Sequence, residues 1–392
     1  MVIHKGKYQK GCVTSMSREK RVIILYKSAS NLKLEKYAQG LEGRFGAIHV
    51  KTHPIINGIS CIMPREACLK ELEADTNLDR IENDIQISLP KLIKESNTRQ
   101  KNHRKTTQNR EYESQVISQG VQMIGANNIW NISTGRLVKV AVLDTGIEIG
   151  HPDLRKNLKK GINIINPYIV PNDDNGHGTH VAGIIGAGNN EYGIVGVAPN
   201  ISLVPVKVLD SGGKGTLTDL IDGLYWCIEN DIQVINMSWG TSLSSETFTR
   251  AVKKVYRAGI VMIAAAGSNS SEGAIDYPAA YKETVAVGAV SLTKNYLPYS
   301  NAGKGLNLVA PGSEILSTIQ GGAYGYMGGT SMAAAHVSGV AALMLQINSK
   351  LTPYQVRSTL TKSAEKLQEL TSDQQGSGLI RADRAVKKVA NA

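Results

Sequence analysis

Five short apolar runs, at 138–143, 203–208, 234–237, 260–265 and 285–290, recur between segments with helical spacing. Each run is short, rich in β-branched residues and largely apolar, the pattern of a strand buried on both faces in a parallel sheet. The helix-like segments lie near 177–187, 217–229 and 247–257, and two more follow at 331–347 and 353–364. Such alternation predicts an α/β domain of three layers, a mostly parallel sheet covered by helices on both faces. No repeat of fixed period interrupts it.

The first part of the chain follows another order. Residues 21–27 (RVIILYK) read as a strand, and 32–44 place Leu34, Tyr37, Ala38 and Leu41 on one helical face. A hairpin across 46–64 turns near 54–58, a second helix covers 66–78, and a last strand covers 80–88. This βαββαβ order predicts a small ferredoxin-like α+β domain. Three regions result: a first domain at 1–89, a linker at 90–112 and the α/β domain at 113–392, within the capacity of 392 residues.

The formal charge of +11 raises the question of a nucleic-acid partner, and its distribution argues against one. Residues 1–112 hold 21 Lys and Arg against 12 Asp and Glu, whereas 113–392 hold 23 against 21. The excess is concentrated in PKLIKESNTRQKNHRKTTQNREY, which lacks the interleaved aromatics of a single-strand binder and reads as a solvated linker. The four cysteines, Cys12, Cys61, Cys68 and Cys227, form no CxxC pair, so neither a disulfide framework nor a zinc ribbon is expected. The first twenty residues have no apolar core of a secretory leader. A cytoplasmic protein is therefore expected, with export by an unrecognised route as the alternative.

Three residues stand out chemically. Asp144 ends a strand in VAVLDTG, the edge where open α/β sheets carry their functional groups. His177 opens a helix in NGHGTHVAGI, where the positive end of the helix dipole disfavours protonation. Ser331, in GGTSMAAAHVSGVAALML, lies where a glycine turn enters an apolar helix, so free backbone N–H groups face a developing oxyanion. Each alone also reads as a cap, turn or packing residue. HGTH lacks the glutamate of HExxH and has no evident third ligand, so zinc is not expected. The position two beyond Ser331 is Ala333, which excludes a GxSxG elbow.

Together these motifs, in the order Asp–His–Ser, resemble the subtilisin family closely. The likeness runs from about residue 115 to about 364 and includes GVAP (196–199), VKVL (206–209), AAAG (264–267) and VAPG (309–312). It implies a serine endopeptidase with Asp144, His177 and Ser331 as catalytic triad. It also implies that residues 21–88 are an inhibitory propeptide, and the enzyme a zymogen that processes itself. The expected partners are polypeptide substrates and the chain's own propeptide, with no nucleic acid, no membrane and a monomeric state.

The resemblance extends to the surroundings of the triad. It makes the backbone of Ser331 one oxyanion donor. The family's second donor, an asparagine directly after AAAG, is here Ser268 followed by Asn269; either side chain could serve, or the hole could be incomplete. Ala335 stands where the family usually has proline. Gly213, Lys214 and Gly215, with Ser238, Trp239 and Gly240, match the backbone that pairs with an extended substrate. Asp276 falls at the base of the first specificity pocket, where its carboxylate would favour Lys or Arg at P1. Lys101, Arg104, Lys105 and Arg110 would then offer maturation sites, and a cut after Tyr112 is the alternative. A calcium site carries over as Asp153, Asn190 and Gln115 with the carbonyls of Gly188, Tyr192 and Ile194. The competing readings are a pseudoprotease that acts as a binding protein and an esterase or transpeptidase on the same scaffold.

Overall fold

The computed structural model describes residues 19–90 and 114–392. Cys12 and the maturation positions Lys101, Arg104, Lys105, Arg110 and Tyr112 lie outside them. The chain divides into two compact units after Ile85.

The first unit runs β1 (Lys20–Tyr26), α1 (Asn31–Phe45), β2 (Ile48–His53), β3 (Gly58–Met63), α2 (Glu66–Leu72) and β4 (Leu78–Asn83), the expected βαββαβ order. Its antiparallel sheet has the order β2-β3-β1-β4. Val22, Ile24 and Tyr26 alternate onto the face that packs with Leu34 and Leu41 of α1 and Leu69 and Leu72 of α2. Ser30 caps α1 by accepting from the Lys33 N–H, and Gly46 ends it in the left-handed region. Two expected boundaries change. The second helix stops at Leu72 rather than at 78, because Asp75 accepts from the Asn77 N–H at 2.8 Å and turns the chain into β4. The expected strand 80–88 is two strands, β4 and β5 (Gln86–Ser88), with different partners.

The second unit begins with β5, then β6 (Val116–Ile117) and α3 (Gln119–Met123). Next come β7 (Lys139–Asp144), β8 (Ile162–Asn163), α4 (His177–Gly186), β9 (Ile194–Val195), β10 (Ser202–Lys207) and β11 (Lys214–Thr216). The middle of the unit is α5 (Leu217–Glu229), β12 (Val234–Met237), α6 (Glu246–Arg257), β13 (Val261–Ala265), β14 (Val285–Val290) and β15 (Leu308–Pro311). A hairpin, β16 (Ile315–Ile319) and β17 (Ala323–Met327), leads into α7 (Thr330–Ile347), α8 (Pro353–Ser363), α9 (Ser372–Gln375) and α10 (Ala382–Ala390).

Seven of these strands form one parallel sheet, ordered β15-β14-β13-β12-β7-β10-β8. All five predicted runs are in it, and helices on its faces complete the three-layer α/β fold. The helix α7 packs across β12 to β15 and against α4. It is long and apolar enough to cross a membrane, yet 89% of it is buried inside the unit, as befits a core helix. Where α7 passes Val197, a Cβ on Gly339 would lie 2.5 Å from the valine Cβ. Gly339→Val should therefore cost about 1–3 kcal/mol through overpacking, read by urea unfolding in a Ser331→Ala background that suppresses self-digestion. An unchanged midpoint would refute the close fit.

Candidate active site

The sheet delivers its functional groups at one edge. The pairing of β7 with β10 sets Asp144 opposite Lys207, and its pairing with β12 sets Leu143 opposite Met237. The chain therefore leaves β7 at Asp144 beside the segment that follows β12, which carries Ser238, Trp239 and Gly240. The Trp239 indole N–H donates to the Leu143 carbonyl at 2.9 Å and ties these two strand ends together.

His177 is the first residue of α4, and Ser331 the second of α7. Nδ1 of His177 donates to Asp144 Oδ1 at 2.8 Å and lies 3.0 Å from Oδ2, with both side chains buried. Nε2 is buried and without a partner among the described residues. Burial opposes protonation of His177, but the charge and hydrogen bond of Asp144, with help from Asp173, raise its pKa above the ordinary value. This corrects the expectation from the helix dipole: the adjacent carboxylate is the stronger influence. A further feature is needed to let α4 approach β7. A Cβ on Gly178 would lie 2.1 Å from the Gly146 carbonyl oxygen.

The Ser331 hydroxyl donates to the Ser238 carbonyl at 2.9 Å, and the Ser238 hydroxyl donates to the Ser331 carbonyl at 3.0 Å. Passing a proton to His177 requires Ser331 Oγ to leave that carbonyl. Around the entry to α7, a Cβ on Gly329 would lie 3.6 Å from Ser268 Oγ and 3.8 Å from the Ser331 nitrogen. Ser268 thus borders the same space as the Ser331 N–H. Its hydroxyl oxygen accepts from the Thr330 N–H at 3.0 Å and lies 3.0 Å from Thr330 Oγ1. Asn269 is exposed, and its N–H donates to Asn301 Oδ1 at 3.2 Å. Of the two residues considered for the oxyanion side, Ser268 is the one brought to the Ser331 turn. Ala335 is buried within an unbroken α7.

The two backbone segments expected to hold substrate both carry a peptide strand. Antiparallel pairing sets Gln86 opposite Thr216, Ile87 opposite Gly215 and Ser88 opposite Lys214. Leu89 then donates its N–H to the Gly213 carbonyl at 2.9 Å, and Ser88 bridges to Gly240. Gly213 has φ +69, and a Cβ there would lie 2.8 Å from the Leu89 side chain. Asp276 is half-buried close by. Its Oδ2 lies 2.4 Å from where a Gly267 Cβ would be and 3.3 Å from where a Gly240 Cβ would be. Burial raises its pKa.

The residues expected to hold calcium also converge. Gln115 Nε2 lies 2.8 Å from the Gly188 carbonyl, 3.0 Å from Asn190 Oδ1, 3.1 Å from the Tyr192 carbonyl and 3.4 Å from the Ile194 carbonyl. Four hard oxygens around one point fit Ca²⁺, and the same amide turned over would present Oε1 as a further ligand. Asp153 stands behind them, accepting from Asn190 Nδ2 and the Ile194 N–H.

Sequence reading missed Asp173, Lys207 and Asn301. Asp173 lies in a run of turn residues, NDDNG, whose ordinary reading is a loop, and only its spacing ahead of His177 hinted at a helix cap. Lys207 carries no signal, since a lysine at a strand end is normally solvated. Its Nζ is instead buried against the Thr145 and Leu209 carbonyls and Asp174.

The model of the subtilase family matches residues 135–378. Subtilisin E of Bacillus subtilis (strain 168) is 43% identical over 282 residues, 70% of this chain and 72% of that protein. Subtilisin of Bacillus pumilus is likewise 43% identical over 282 residues, covering 70% of this chain and all of that protein. Subtilisin DY of Bacillus licheniformis is 40% identical over 278 residues, with 70% and 100% covered. The Bacillus subtilisins are secreted extracellular enzymes, which overturns the cytoplasmic location expected from cysteine usage and the first twenty residues.

Two further histidines near the site make a prediction about acid stability. His180 donates through Nε2 toward the Ile315 and Gly325 carbonyls, and His336 donates through Nδ1 to the Met332 carbonyl. Burial pushes their pKa values down, to about 3 and about 4 respectively. At pH 5 the unfolded chain therefore binds about two more protons at these imidazoles than the folded one, and stability falls as pH drops from about 6.5 toward 4. His177, raised in the fold, is charged in both states at pH 5 and adds no slope there. Calorimetry between pH 4 and 6.5 should give a declining Tm, and His336→Gln should remove about one proton from the dependence. An unaltered dependence would count against a neutral His336.

Proposed function

Because this chain belongs to the subtilase family and is a serine endopeptidase, we propose that it is a precursor that processes itself and cuts after lysine or arginine. Asp144, His177 and Ser331 are its catalytic triad. Ser331 Oγ attacks the peptide carbonyl while His177 Nε2 takes its proton, and the protonated imidazole then gives that proton to the leaving amine. Asp144 holds Nδ1–H and so keeps Nε2 free as the base. The acyl group is released by water through the same proton path. The Ser331 N–H and Ser268 flank the oxyanion.

One observation carries this reading. Residues 86–89 lie as an extended peptide along the backbone at 213–216 and bridge to Gly240, the arrangement a bound polypeptide would take. Recognition through main-chain bonds tolerates many side chains, so selectivity falls to the pocket beyond. Asp276 supports a basic P1 residue: its carboxylate borders Gly240 and Gly267 and has no hydrogen-bond partner among the described residues. A guanidinium or ammonium group would supply that partner. The segment that covers the cleft comes from the amino-terminal side of the basic linker, which supports the inhibitory role of the propeptide.

Purified protein and its Ser331→Ala variant, assayed on matched peptides with Arg, Lys, Leu or Phe at P1, test the proposal. We expect loss of self-cleavage and of turnover in Ser331→Ala. Asp276→Ser should lower kcat/KM for Arg by about 10- to 100-fold and spare Leu. A wild type that favours Leu or Phe would refute the role of Asp276.

Ca²⁺ would be held by Asn190, Gln115 and the carbonyls of Gly188, Tyr192 and Ile194, with Asp153 behind them, and would supply a charge that fixes this loop. Free Ca²⁺ at 100 times its Kd should add about 2.7 kcal/mol to stability, and Gln115→Ala should shrink that increment. An equal Tm with calcium and with chelator would refute the site.

A further inference from the structure

A second buried carboxylate stands behind the Asp144–His177 pair. Asp173 is 3% exposed and accepts five hydrogen bonds. Its Oδ1 takes the Thr145 hydroxyl at 2.8 Å, the Asn175 N–H at 3.0 Å and the Gly176 N–H at 2.9 Å. Its Oδ2 takes the Thr179 N–H at 2.9 Å and the Thr179 hydroxyl at 2.6 Å. Burying a charge is costly unless it is fully hydrogen-bonded, and these five donors meet that condition.

The donors come from the two segments that carry the triad's first two members. Thr145 follows Asp144, and its N–H donates to Asp144 Oδ1 at 2.8 Å. Gly176 and Thr179 bracket His177 at the start of α4. Thr145 Oγ1 also accepts from the Gly178 N–H at 3.0 Å, which closes a ring of hydrogen bonds between the β7 end and the first turn of α4. Gly176, the residue before α4, makes no side-chain cap, so Asp173 serves the free N–H groups of the helix from outside its usual capping position.

We propose that Asp173 is a positioning residue of this protease: through Thr145 it locks the end of β7 to the first turn of α4 and so fixes His177 against Asp144. The inference rests on the triad assigned above. Asp173 never touches substrate and acts through its neighbours. A displacement of a reacting group by about 1 Å can cost roughly 100-fold in rate, so a strut of this kind bears directly on turnover. Its charge also acts on His177. The ionisable groups around that imidazole are Asp144 on β7, Asp173 ahead of α4 and His180 on α4 itself. Lys207 on β10 pairs with Asp174 nearby, α7 contributes His336 beside His180, and β16 contributes no titratable side chain.

Two variants separate position from charge. Thr145→Val removes the hydroxyl link at nearly constant shape and leaves every charge in place. It should lower kcat by about 10- to 100-fold with KM nearly constant, and leave the acid limb of kcat/KM where it is. Asp173→Asn should lower kcat comparably and also move the acid limb to lower pH, because a lost negative charge makes the imidazolium harder to form. Rates are taken per active site, by titration with an acylating reagent, so a smaller folded fraction does not count as a slower enzyme. Wild-type kcat in Thr145→Val, or an unmoved acid limb in Asp173→Asn, would overturn the proposal. Ser331→Ala run in parallel tests the triad itself: undiminished turnover there would refute that reading and not this one.

Discussion

The parallel pairing of β7 with β10 and β12 is the constraint on which the rest of the second unit depends. It brings three chain exits to one edge: Asp144 from β7, the Val208–Leu209 turn from β10 and Ser238 from β12. A parallel sheet buried on both faces has no freedom to slip register, because a one-residue shift would reverse every side chain. The positions of these exits are thus set by the packing of valines and isoleucines that take no part in chemistry. The polar groups at the edge then need only short links to reach one another, and they are held by Trp239, Lys207 and Asp173, each buried and each bonded to more than its own strand or turn.

Helices supply the remaining precision. His177 and Ser331 both occupy the first turns of helices whose later turns pack together, so the pair is set by the contact of α4 with α7. The glycine at 178 lets α4 approach the end of β7. Under the proposed mechanism the Ser331 N–H at the start of α7 lies beside the place where negative charge would develop, while the carboxylates of Asp144 and Asp173 lie on the side where positive charge would develop. The site is arranged as a separation of charge across one histidine.

Much of this was legible in the sequence, and the reasons differ by element. The five largely apolar runs are legible because strands buried on both faces show little alternation, Lys139, Lys207 and Asn236 being the exceptions within them. β15 was not found: its four residues, Leu308–Pro311, end in a proline that reads as a turn. α10 is not evident in the sequence, because its nine residues follow a loop rich in glycine and polar residues. The expected second helix runs six residues beyond Leu72, since ELEAD continues helical propensity until Asp75 turns the chain. Asp144, His177 and Ser331 were legible only together, as motifs in a fixed order. Asp173 was not, because five hydrogen bonds to one carboxylate are a property of the folded chain, and its local sequence is that of an ordinary turn.

The strand at 86–89 has a consequence for how this activity can be controlled. A peptide joined covalently to the cleft that it covers competes with substrate at a local concentration that dilution does not alter. Raising substrate or diluting the protein would then do little to open the cleft. The proposed cut after residue 89 would turn the same contacts into an ordinary bimolecular equilibrium, in which the segment can leave and not return. In the proposed precursor a single hydrolysis would thus change the law that governs inhibition and make the onset of activity irreversible, without any change in the residues that touch the cleft.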